Sequence, residues 1–170
     1  LTFEEIRKNP EIKTYIERSM GARRGGFHGA RLSPRVAHVG HCFTHLAGVG
    51  LRCAHLRART DCSYMHDIGN LVNRHYHAQN GACLAFQILS RLGFSPDETA
   101  QIVSAIGHHD EKNGAAVSPI AAALILADKS DVRRSRVRNQ ETVSSDIHDR
   151  VNFAVQKAEL KLIRRKKQSS

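Results

Sequence analysis

Apolar residues along this chain recur at the three-to-four-residue spacing of a helix, and no stretch alternates long enough to predict a strand. Phe3, Ile6, Ile12 and Ile16 make a loose apolar face, and Thr2 with Glu5 reads as a capping box, so a first helix is predicted from there to about Arg18. The pattern is then lost between Gly21 and Cys62 and resumes at Tyr64. Ala82, Ala85, Phe86, Leu89 and Leu92 predict a helix over 78–92, with Gly93 as its C-terminal stop. Ser95-Pro96-Asp97-Glu98 combines a capping serine, a proline suited to the first helical position and an acid three residues after the cap, so another helix starts there and buries Ile102, Val103 and Ile106. Asn113-Gly114 marks a turn. From Pro119 the run Ile-Ala-Ala-Ala-Leu-Ile-Leu-Ala is apolar all round, as a central helix requires, and it ends on Asp128. A last amphipathic helix carries Ile147, Val151, Ala154, Val155 and Ala158, with Asp146 to Asp149 as its acidic start, and leads into the basic run Arg164 to Lys167. The fold class is all-α, a compact helical bundle, with 21–62 irregular or poorly packed.

Length adds one domain to this picture. A chain of 170 residues with 41% hydrophobic content builds one core, so 1–160 is read as a single domain and 161–170 as a solvated basic tail. No window approaches the roughly eighteen apolar residues of a membrane span, and Leu-Thr-Phe-Glu-Glu-Ile has no signal-peptide pattern, so a soluble, cytoplasmic protein without a membrane partner is expected. Cys42, Cys53, Cys62 and Cys83 form no CxxC pair and read as free thiols.

The net charge of +10 would by itself suggest a polyanionic partner. Its location weakens that inference. Residues 21–62 hold seven Arg, no Lys, one acid (Asp61), seven Gly, five His and three of the four Cys, and so carry +6 of the total. Read as a nucleic-acid-binding insert, this segment lacks the stacking aromatics such inserts use, having only Phe27 and Phe43. Read as a metal module, its His and Cys spacings match no ligand template. The third reading is translation out of frame. Codons for Phe27 to Ser33 permit, one base later, Phe-Thr-Ala-His-Val-Ser, and those for Arg57 to Cys62 permit Glu-Leu-Ala-Arg-Ile-Ala. The shifted text is amphipathic helix and the given text is not. Nucleic acid is therefore disfavoured as a partner.

Chemistry concentrates elsewhere. His66-Asp67 sits in Tyr-Met-His-Asp-Ile-Gly-Asn, where on a helix the two side chains point about 100° apart and can share an ion lying between them. Asp128 closes an apolar run, and burying its carboxylate there costs several kcal/mol, to an order of magnitude, unless a cation or donors compensate. His77 begins one predicted helix, while His108 and His109 end another. A mixed imidazole and carboxylate set suits Fe, Mn, Zn, Co or Ni better than Ca or Mg. For His66, Asp67 and Asp128 the competing reading is a buried structural ion pair; His55, His75 and His148 read as ordinary histidines. Lys129 and Arg133 follow Asp128 and are candidate phosphate contacts, with a charged solvent face as the alternative.

In order, His-Asp-Ile-Gly-Asn, His-Ala-Gln-Asn-Gly, Ile-Gly-His-His-Asp-Glu and Ala-Asp-Lys-Ser-Asp-Val-Arg-Arg resemble the HD superfamily of metal-dependent phosphohydrolases, over Tyr64 to about Ala158 and the first helix. The resemblance implies an HD-type helical domain in which His66, Asp67 and Asp128 are core metal ligands. His77, His108 and His109 would then serve a second ion, so one or two divalent transition metals are implied. It also implies hydrolysis of a small phosphate ester, a nucleotide or signalling nucleotide, with Asp67 and Lys129 as catalytic groups and Lys129 and Arg133 on the substrate. One departure stands out. The family's further His precedes the His-Asp helix, where this chain has the anomalous segment; the shifted frame supplies a His at the junction of Ala30 and Arg31, whereas His28, His38, His41 and His45 stand nearby only by position. The alternative is thus a catalytically impaired module that binds metal or nucleotide, and a homo-oligomer stays open.

Overall fold

A computed structural model describes residues 3–22, 62–110, 114–130 and 147–156, together with Val132 and Val137. Every regular element among them is a helix: α1 (Phe3–Lys8), α2 (Pro10–Ala22), the 3-10 helix η1 (Ile68–Leu71), α3 (His77–Arg91), α4 (Pro96–Gly107), α5 (Pro119–Ser130) and α6 (Ile147–Ala154). None of them is long and apolar enough to cross a membrane. The chain divides into two compact units, Leu1–Asp128 and Lys129–Ser170.

Within the first unit, the single N-terminal helix expected to run to Arg18 is two helices. Pro10 has no N–H to donate and its ring clashes with a preceding turn, so α1 stops at Lys8. Asn9 then restarts the helix, its Oδ1 accepting from the N–H groups of Glu11 (2.9 Å) and Ile12 (3.2 Å), with Pro10 at the tolerated first position. Ile6, Ile12 and Ile16 are nevertheless all buried.

The α3–α4 hairpin is built as the residue pattern predicts. Gly93 takes φ +76, the left-handed conformation that a residue with a Cβ resists, and Phe94 N–H returns to Leu89 O at 3.1 Å. Ser95 and Glu98 complete a reciprocal capping box for α4. The two helices pack on each other, and α3 also packs on η1, which in turn meets α2. Small residues on α3, namely Ala78, Gly81, Ala82 and Ala85, let these neighbours approach closely. Phe86, expected on the buried side, is 56% exposed and lines a cavity of about 970 Å³ between α3 and α4. In α5, Ile120, Ala121, Ala123, Leu124 and Ala127 are buried, whereas Ala122 is exposed, so the helix is not covered on every side as its composition suggested. The largest fully buried side chains of this unit are Ile6, Ile12, Met65, Ile68, Ile88, Leu89, Ile102, Ile106 and Leu124.

At the ends of the anomalous stretch, Gly21 and Ala22 belong to α2, and Cys62 is buried in a helical turn over 62–65. Residues 23–61, on which the irregular-segment and frame-shift readings fall, lie outside the described residues, as does the basic tail. Cys62 and Cys83 are free thiols. In the second unit, α6 ends at Ala154, so the expected continuation through Val155 does not form.

Candidate metal centre

Five of the residues singled out from the sequence meet at one point of the first unit: His66, Asp67, His77, His109 and Asp128. They arrive from four places in the chain. His66 and Asp67 occupy the turn between the 62–65 helical turn and η1, not a regular helix, and Asp67 has φ −93 and ψ 4. His77 is the first residue of α3, His109 follows α4 as the chain leaves the helix, and Asp128 sits in the last turn of α5.

The distances define the cluster. His66 Nε2 lies 3.5 Å from Asp67 Oδ2 and 3.7 Å from Asp128 Oδ1, and His77 Nε2 lies 3.7 Å from Asp67 Oδ1. The His109 ring stands edge-on to both other imidazoles, with centroids 5.1 Å from each. Ligand atoms of His66, Asp67 and His109 all fall within 4.8 Å of one another. Two ligands of one ion, each about 2.0–2.2 Å from it, stand at most roughly 4.4 Å apart, so these three residues could hold a metal ion.

Each imidazole is held in the tautomer that ligation needs. Nδ1 of His66 lies 2.7 Å from Ser63 O, Nδ1 of His77 3.2 Å from Arg74 O and Nδ1 of His109 2.6 Å from Ile106 O. A carbonyl oxygen only accepts, so each Nδ1 carries the hydrogen and each neutral ring presents its Nε2 lone pair. This is the arrangement that orients metal-bound imidazoles. Electrostatics separates the three rings. Burial lowers the His109 pKa, the charge of His66 pushes the same way, and the value falls to about 4, so this ring is neutral at pH 7. Burial also lowers that of His77, Asp67 pulls against it, and the Arg74 guanidinium adds to the lowering. For His66 burial again opposes protonation, but Asp67, Asp128 and the Ser63 carbonyl together outweigh it and hold the ring above the ordinary histidine value.

His108 is not brought to this cluster. Its Nδ1 lies 2.8 Å from Ser104 O and its ring lines the α3–α4 cavity. Lys129 is exposed and opens the second unit, and Arg133 lies outside the described residues. Two neighbours were not singled out from the sequence. Buried Asn70 donates from Nδ2 to Asp67 Oδ1 at 2.9 Å, and Arg74 Nη1 reaches within 3.5 Å of Asn70 Oδ1. Their spacing of three and then four residues from Asp67 was the available signal, since such positions share one side of a helical turn.

The residue before His77 holds an unusual conformation. Tyr76 has φ 59 and ψ 27, left-handed for a residue with a Cβ, while the residue is 65% exposed. That conformation costs on the order of 1–2 kcal/mol and little packing offsets it. Tyr76→Gly is therefore expected to leave stability unchanged or raise it by up to about 1 kcal/mol, whereas Gln87→Gly, exposed in the middle of α3, costs about 1 kcal/mol. Parallel urea unfolding curves check the contrast. No family model matches the chain, and no curated protein or solved structure matches it.

Proposed function

We propose that this chain is a metal-dependent phosphohydrolase of the HD type, acting on a phosphate ester of nucleotide kind. The observation that carries the reading is the cluster of three imidazoles, each with Nδ1 turned to a carbonyl, around Asp67 and Asp128. That donor set fits Mn, Fe, Co, Ni or Zn. A divalent ion there supplies a lowered pKa for water and polarisation of a phosphoryl oxygen.

The protein groups do the rest. Asp67 turns Oδ2 towards His66 and Oδ1 towards His77, and Asn70 fixes its carboxylate plane, so it orients the attacking water and accepts its proton. The water oxygen would bond to phosphorus as the ester P–O bond breaks, and the departing oxygen would take the proton that Asp67 accepted. Lys129 and Arg133 remain the candidates for substrate contact named from the sequence. Together the imidazoles and carboxylates offer enough ligands for one ion without the family's further His, which falls in 23–61.

The test is metal content and turnover of the same preparation. Protein stripped with a chelator and reloaded with Mn, Co, Ni, Fe or Zn is expected to bind metal and release phosphate from 4-nitrophenyl phosphate or a panel of nucleotides, and to lose that turnover when stripped again. Metal bound with no turnover on any ester would leave the impaired binding module as the function.

A further inference from the structure

Arg74 is tied to the candidate centre at both ends. Its carbonyl faces Nδ1 of His77 at 3.2 Å, so its main chain sets the orientation of that imidazole. Its guanidinium lies 3.5 Å from Asn70 Oδ1, and the same carboxamide donates to Asp67 Oδ1 and to Asp67 O, both at 2.9 Å. Asn70 is 3% exposed, which makes it a fixed strut, whereas Arg74 is exposed at its outer end. Among the described residues Asn70 is the one side-chain partner of this guanidinium, and a contact of that length engages one of its five N–H groups weakly.

Charge balance shows what such a cation would do. Asp67 and Asp128 neutralise a divalent ion, so a terminal phosphoryl group arriving as a dianion meets a centre with no net charge left to offer. A guanidinium at the edge supplies that charge, and its paired N–H groups match two phosphoryl oxygens at once. We propose that Arg74 is the phosphate-binding residue of this centre, gripping the nonbridging oxygens of a terminal phosphoryl group beside Asp67 and His77. The inference rests on the metal-site reading above and adds to it the chemical class of the ligand, a phosphomonoester or its inorganic phosphate product.

The experiment uses the full chain loaded with Mn²⁺ and inorganic phosphate as the probe. Mn²⁺ affinity is measured first by calorimetry, and phosphate binding then by Mn²⁺-induced broadening of the ³¹P resonance. Arg74→Gln is expected to keep Mn²⁺ affinity within about threefold and to weaken phosphate binding roughly ten- to hundredfold, the range for losing a charge-assisted contact. Arg74→Lys, a point charge without the fork, should recover part of that loss. Unchanged phosphate affinity in Arg74→Gln with Mn²⁺ still bound would overturn this inference alone. Loss of Mn²⁺ in that variant would overturn it too, by making Arg74 a strut for Asp67. A wild-type protein that takes up no Mn²⁺ would instead remove the metal reading beneath it.

Discussion

Gly69→Ala is expected to destabilise the protein by about 3 kcal/mol or more, at the upper end of what overpacking costs. A Cβ at this position would run into the carbonyl oxygen of His77 and the amide nitrogen of Gly81, and would stand 2.9 Å from Gly81 Cα. All three are backbone atoms of α3, so no side chain can swing aside, and the 3-10 helix must lift off the helix it packs against. At roughly 2–4 °C per kcal/mol for a chain of this size, the midpoint of thermal unfolding falls by about 6–12 °C. Gly81→Ala is the milder comparison, since its Cβ would meet Gly69 N, His66 O and Ile106 Cγ2 at 3.3 Å each, tight contacts that ask the neighbours to give by only a few tenths of an ångström. The effect extends to chemistry. Gly69 lies two residues after Asp67 and against His77, so lifting η1 draws apart the carboxylate and the imidazole that now stand 3.7 Å from each other. Metal affinity is therefore expected to fall along with stability in Gly69→Ala, and to fall less in Gly81→Ala, where the contacts are longer. A Gly69→Ala protein as stable as wild type would mean that η1 does not rest on α3 in this way.

Local chemistry explains which parts of this arrangement could be read in advance. The α3 stop at Gly93 and the α4 start at Ser95 depend on residues within five positions of each other, and both formed as their side chains dictate. Asn9-Pro10 carried an equally local signal, a capping residue before a proline, but the apolar spacing of Ile6, Ile12 and Ile16 spans the break and concealed it. His108 and His109 show a different limit. Adjacent imidazoles differ only in where the helix ends, and because α4 closes at Gly107, His108 stays against the α3–α4 cavity while His109 turns inward to 2% exposure. One residue more of helix would have altered that outcome. The meeting of α5's last turn with the His66-Asp67 turn, some sixty residues apart in the sequence, depends on packing and leaves no local trace. Asn70 and Arg74 had the right spacing but no unusual residue type to draw notice.

Asp128 isolates the contribution of metal to stability from that of packing. A ligand present at a hundred times its dissociation constant, and bound only by the folded state, adds about 2.7 kcal/mol to stability. Mn²⁺ or Zn²⁺ at that excess should accordingly raise the unfolding midpoint by roughly 5–11 °C. Asp128→Asn keeps the shape of the side chain in the last turn of α5 and replaces an anionic ligand with a neutral one, so its metal-free stability should stay within about 1 kcal/mol of wild type. Its metal-induced shift should nearly vanish, because the variant removes one of the two carboxylates within 4 Å of His66 Nε2 among the described residues, and even groups that merely support a ligand are worth ten- to hundredfold in affinity, to an order of magnitude. His66→Ala should lose the shift as well, but at a further cost without metal. Its Nδ1–H serves Ser63 O at 2.7 Å in a buried setting, and stranding that carbonyl costs about 1–3 kcal/mol. The two variants thus agree in the lost metal-induced shift and differ in their metal-free midpoint, and thermal melts run with chelator and with excess Mn²⁺ read both quantities. If Asp128→Asn kept the full shift, the last turn of α5 would contribute nothing to holding the ion, and the centre would shrink to the ligands supplied by the His66-Asp67 turn, His77 and His109.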